Sequence, residues 1–235
     1  MVTIPVHQKI RSNSMSTIED FEKSIFINCP YDEKYISALR LIIFTIMLAG
    51  LNPRLASENS DCATVRLELI KEIIHSCKYS IHDLSRMKAR KRLEYYRMNM
   101  PFELGLDFGC REFSDNSVYK TKKLLVLEGK RYGYQKALSD FAGIDIVSHN
   151  EEVVDIIKSV RSWLLDNVPG IDALPGQSII WGWYVADFSQ FMTEQAKISQ
   201  QTRKEIWACS TSQLKKYVFK FLQNFNEAKR YRVFS

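Results

Sequence analysis

From residue 24 to residue 165 the chain repeats one alternation: a short apolar run, then a longer segment with apolar residues every three or four positions. Short apolar runs bounded by turn residues make strands, and the 3.6-residue period makes helices that bury one face. The expected strands are 24–29, 53–56, 79–84, 123–127 and 144–147. The first expected helix, 33–49, carries Ile36, Leu39, Ile43, Ile46 and Met47 on one face and has Gly50 as its stop signal. A second runs to Ser76 from a cap at Asp61 or Thr64, with Val65, Leu69, Ile73 and Cys77 at helical spacing. A third starts at Pro101 and ends near Cys110, a short one covers 134–141, and 151–165 is amphipathic through Val153, Ile156, Ile157, Val160 and Leu164.

Strands that alternate with helices build a parallel sheet covered on both faces, because right-handed crossovers lay each helix back on the sheet. The fold class expected is α/β: a flavodoxin-like, doubly wound, parallel five-stranded sheet with a C-terminal helical appendage. That order makes the first and third strands neighbours and puts ligands beyond their carboxyl ends. Residues 1–20 lack apolar periodicity and read as a flexible arm, 21–172 as the α/β domain, and 173–235 as a helical region. The last begins where Pro169-Gly170 and Pro175-Gly176 end the strand signals, and carries Trp181, Trp183, Tyr184, Phe188, Phe191, Trp207, Tyr217 and Phe221. Aromatics at helical spacing make a packing face. Their number exceeds what a short appendage buries alone, so an oligomer contact is expected.

A hydrophobic content of 46% over 235 residues belongs to an ordinary globular protein, and no apolar run reaches the roughly 20 residues of a membrane span. The N-terminus does not read as a secretion leader, so a cytoplasmic location is expected. The five cysteines are odd in number and form no C-x-x-C pair, which points to reduced thiols. Of the net charge of +6, residues 175–235 carry nine Lys or Arg against four Asp or Glu. A solvated helical face or an oligomer contact accounts for this basic tail better than nucleic acid does. No G-x-G-x-x-G, G-x-x-x-x-G-K-[ST] or H-E-x-x-H occurs, which argues against dinucleotide redox chemistry, NTP hydrolysis and metal catalysis.

The segment Met98-Asn99-Met100-Pro101-Phe102-Glu103-Leu104-Gly105 sets one carboxylate in the expected first turn of the third helix. Pro101 suits the first helical position, and Asn99 can cap it. Glu103 either complements the helix dipole or faces a ligand. Asp83 closes the third strand and is expected to share a crevice with Glu103; otherwise it braces the following loop. Two carboxylates of this kind suit glycosidic chemistry. His82 alternates with Asp83, points to the other face, and reads as a core histidine. Cys29, Tyr31 and Asp32 end the first strand, where Tyr31 can stack on a base and Asp32 can hold a sugar or cap the next helix. Ser85 and Arg86 can reach phosphate or ribose, or make a turn. Six basic residues between 86 and 97 suit phosphate or a solvated loop equally.

The set Phe26-Ile27-Asn28-Cys29-Pro30-Tyr31-Asp32, His82-Asp83-Leu84-Ser85-Arg86 and Asn99-Met100-Pro101-Phe102-Glu103-Leu104-Gly105 resembles bacterial proteins related to nucleoside 2-deoxyribosyltransferases and TIR domains, over residues 24–167. The resemblance implies Glu103 as the group that attacks or stabilises the sugar and Asp83 as its holder; Tyr31, Asp32, Cys29, Ser85, Arg86 and Asn99, placed by the strand ends and the helix start, are the expected substrate-binding residues. It implies N-glycosidic cleavage of NAD or a related nucleotide, NAD being substrate and no cofactor needed, in the setting of antiviral defence, with a homo-oligomer or a defence partner. The transferases usually carry an acid and a Gly-Thr pair where Asn99-Met100-Pro101-Phe102 stands, so base transfer is the less expected reaction. A non-catalytic nucleotide sensor signalling through the helical tail is the alternative.

Overall fold

The computed structural model describes residues 18–58, 65–85, 98–141 and 143–232. Five strands form one all-parallel sheet: β1 (Ser24–Asn28), β2 (Asn52–Arg54), β3 (Tyr79–Asp83), β4 (Lys123–Glu128) and β5 (Val147–Ser148), in the order β2-β1-β3-β4-β5. This is the flavodoxin-like arrangement. β1 and β3 are buried along their whole length, as strands covered on both faces must be.

Side-chain alternation divides the core in two. Ile25, Ile27, Tyr79, Ile81, Leu125 and Leu127 face α1 (Ile36–Leu48) and α4 (Val153–Asn167). On the other face Phe26 meets Ile70, Ile73 and Ile74 of α2 (Arg66–His75), and Val126 meets Met100 and Leu104 of α3 (Asn99–Phe113). Gly50 ends α1 at φ +79°, a left-handed conformation that costs glycine nothing.

Several local expectations are corrected. Residues 18–23 are helical, so the part of the expected arm that is described is not loose. The expected helix 134–141 is two 3-10 turns, Tyr134–Lys136 and Ser139–Phe141, since so short a segment does not repay helix nucleation. β5 lies at Val147–Ser148, because Ile144 still donates to the Phe141 carbonyl in a turn. Asp61 and Thr64 lie outside the described residues, and Val65 precedes α2 without a side-chain cap. α3 starts at Asn99 after Met98, which makes Pro101 its third residue, Asn99 part of the helix and not its cap, and Glu103 a second-turn residue. Proline is harmless there for the reason expected, since first-turn N–H groups have no helical partner. The helix also continues past Cys110 to Phe113.

The C-terminal region is α5 (Gln177–Gly182), a π-helical stretch (Trp183–Phe188), α6 (Ser189–Ile198), α7 (Arg203–Trp207) and α8 (Thr211–Arg232). Its aromatics do form a packing face, and that face closes on α1. The fully buried Phe44 ring lies 5.5 Å from both Tyr184 and Phe188 and 5.9 Å from Phe221. The surplus aromatics assigned to an oligomer contact are therefore largely spent inside the chain. Arg161 of α4 fastens the connecting segment by donating to the carbonyls of Leu174 (2.7 Å) and Pro175 (2.5 Å). At the sheet's outer edge Lys215 of α8 donates to the Pro53 carbonyl at 2.6 Å and pairs with Glu58 at 3.2 Å. No helix among the described residues is long and apolar enough to cross a membrane.

Candidate active site

A cavity of about 370 Å³ opens beyond the carboxyl end of β1, on the face covered by α2 and α3. Asn28, Cys29 and Tyr31 come from β1 and the loop after it, and Leu55, Ala56 and Ser57 from the end of β2. Arg66 enters from the start of α2, and Asn99, Met100 and Glu103 from the start of α3. This is where a doubly wound sheet leaves a crevice, because the connections from β1 and β3 leave toward opposite faces.

Glu103 is only 7% exposed, yet no hydrogen bond or ion pair reaches it among the described residues. Burial pushes its carboxyl up from 4.5 to about 7, against the opposing pull of the Arg66 guanidinium. At neutral pH it exists in both protonation states, a costly arrangement for a purely structural acid and a useful one for chemistry.

The helix that carries Glu103 is held from below by a buried polar chain. The Asn28 amide donates to the Met100 carbonyl at 2.9 Å and lies 3.0 Å from Nδ1 of His82. Only the amide nitrogen satisfies both contacts, so Nδ1 accepts and the His82 proton sits on Nε2, which donates to Asp107 at 3.0 Å. The other Asp107 oxygen lies 3.1 Å from Lys122 Nζ, which also donates to the carbonyls of Ile74 and Cys77. Burial would raise the Asp107 carboxyl, but His82 and Lys122 hold it below the ordinary range. Met100, Glu103 and Asp107 lie at helical spacing on one face of α3, so this chain grips the helix on both sides of Glu103.

Asp83 does not line the cavity. Strand alternation turns it to the α1 and α4 face, and His82 is the β3 side chain that meets α3. The expected shared crevice is thus corrected. The Asp83 carboxylate is completely buried and accepts from the Tyr35 hydroxyl, from the Ser85 backbone at 2.8 Å and hydroxyl, and from His149 Nε2 at 3.1 Å. Burial acts to raise its pKa, but the bonds from His149, Ser85 and Tyr35 outweigh burial and hold it below the usual range. With its lone pairs engaged by the protein, Asp83 braces the end of β3. Ser85 also lies 2.8 Å from His149 Nε2. That nitrogen carries the proton, because Nδ1 accepts from the Glu151 backbone at 3.2 Å, so His149 is no base toward Ser85.

The remaining expected residues divide. Tyr31, Cys29 and Asn99 line the cavity. The Cys29 thiol is pushed far up by burial and by the acids around it, Asp83 first, and so stays neutral. Asp32 serves the turn into α1, accepting from the Lys34 and Tyr35 backbones at 3.1 Å each. Arg86 and the basic stretch 86–97 lie outside the described residues. Arg66, Asp107, Tyr35 and His149 belong to no motif in the sequence, and Asn28 lies within the 26–32 motif but has no role assigned to it there. Asp107 alone carried a signal, one helical turn beyond Glu103. Among the described residues no cluster of three or more His, Cys, Asp or Glu is arranged to hold a metal ion. No protein-family model, curated protein or solved structure matches the chain.

Proposed function

We propose that the protein is an N-glycosidase that cleaves the bond between base and ribose in NAD or a related nucleotide, with Glu103 as its catalytic residue. The supporting observation is a nine-tenths-buried carboxylate, unpaired among the described residues, in the lining of a nucleotide-sized cavity. As the C1′–N bond breaks, its electron pair leaves with the base and positive charge spreads over C1′ and the ring oxygen. An ionised Glu103 stabilises or traps that centre; water then adds its oxygen to C1′ and gives up a proton. A pyridinium base leaves neutral without an added proton, and its charge in the ground state draws Glu103 toward the ionised form. The resemblance to deoxyribosyltransferases and TIR domains supports the same bond and the same glutamate.

One observation favours a second reading, a nucleotide sensor without turnover: Glu103 is the single acid among the described residues that line the cavity, with no partner to manage protons. Incubation with NAD, NADP and nucleosides, followed by chromatography, separates the two. The glycosidase releases free base, and Glu103→Gln lowers the rate by about 100-fold or more, the usual cost of losing one preorganised transition-state group. Intact nucleotide recovered from a tight complex indicates the sensor, and equal base release by wild type and Glu103→Gln rejects the catalytic role.

A further inference from the structure

Arg66 stands apart from the other arginines whose side chains are described. Arg54 and Arg111 pair with Glu58 and Glu112, Arg40 and Arg161 donate to backbone carbonyls, Arg203 bonds Ser189, and Arg131 lies over the Tyr132 ring. Arg66 has no hydrogen bond or ion pair among the described residues, although it lines the same cavity as Glu103 and its charge acts on that carboxyl. Glu68, the acid in the first turn of the same helix, is occupied by Lys71 at 2.7 Å and does not compete for it. Arg66 is also the first residue of the ten-residue α2, whose free N–H groups and dipole favour negative charge. The cavity is therefore bipolar: among the described residues an acid that is 7% exposed stands unpaired at one wall, and the exposed Arg66 stands unpaired at another.

We infer that Arg66 is a specificity-determining residue that receives a phosphate of the ligand, so that the cavity takes nucleotides and discriminates against the matching nucleosides. The inference rests on the glycosidic reading above for the placement of the sugar, with C1′ toward Glu103 and the phosphate toward the start of α2. A guanidinium presents forked donors that match phosphate oxygens, and Arg66 gives up no bond to a described residue when it turns to a ligand.

The test is calorimetric binding to the full chain carrying Glu103→Gln, which uncouples affinity from turnover. The probes are nicotinamide mononucleotide, nicotinamide riboside and ribose 5-phosphate. The mononucleotide is expected to bind roughly ten- to a hundredfold more tightly than the riboside, the value of one charge-assisted bond. Adding Arg66→Gln removes that advantage and leaves riboside affinity unchanged, while Arg66→Lys restores part of it. Equal loss for both compounds, or for neither, overturns the inference, as does a parent protein that binds no phosphorylated probe. If ribose 5-phosphate binds in an Arg66-dependent way but the nicotinamide compounds do not, the phosphate subsite stands and the reading of the base fails.

Discussion

Glu103 and Asp83 are carboxylates near the carboxyl end of the same sheet, one on a helix and one on a strand, and both are more than nine-tenths buried. Burial acts on both in the same direction, yet one titrates near 7 and the other lies below its ordinary range. The difference is in their partners. Tyr35, Ser85 and His149 converge on Asp83, whereas no protein group among those described bonds to Glu103. A folded chain satisfies the polar groups it buries, so a buried acid in a cavity wall that no described residue satisfies marks a place where something else is meant to bind. The satisfied one is architecture.

The sharpest way to break this contrast is at Asp83. Asp83→Asn sets amide hydrogens against two of the four existing donors and is expected to destabilise the fold by about 3 kcal/mol, measured by urea unfolding at neutral pH. Because the folded pKa of Asp83 is lowered, its contribution is present above its unfolded value of 3.8 and fades as pH falls through the folded value. The gap between wild type and variant should close in acid.

Glu103→Gln should do the opposite. Between pH 4.5 and about 7 the folded chain holds a proton that the unfolded chain has released, so wild-type stability falls as pH rises through that window. The glutamine variant escapes this penalty and should gain on the order of 3 kcal/mol at pH 8 and nothing at pH 4. A variant less stable than wild type at pH 8 would show that Glu103 has a structural partner after all.

Asn28→Ala removes the hinge pin between Met100 and His82. A loss of about 1–2 kcal/mol is expected, together with a shift in the Glu103 titration followed by carboxyl-labelled NMR, since the buried polar chain then holds α3 at Asp107 and no longer at Met100. Lys71→Ala, breaking the exposed pair with Glu68, should cost under about 0.5 kcal/mol and sets the floor of the scale.

The sheet was legible in the sequence because strand and helix periods differ and each strand sat between turn residues. The same alternation put His82 and Asp83 on opposite faces. What it did not decide was which of them would meet the helix carrying Glu103; that depends on the connection after β2 passing to the other face of the sheet, a property of the whole topology. The start of α3 was misplaced by two residues because Met98 supplies no cap signal. Arg66 was invisible for a different reason: a lone basic residue between Val65 and Leu67 acquires meaning only beside Glu103.

The hold of Lys215 on Pro53 has a practical corollary. β2 is one of the two outermost strands, and an outermost strand offers its free backbone to any extended segment that passes. Helix α8 acts as a bumper along that margin, so shortening the chain before residue 211 would expose a sticky seam and favour fibrous self-association over a trimmed, working protein.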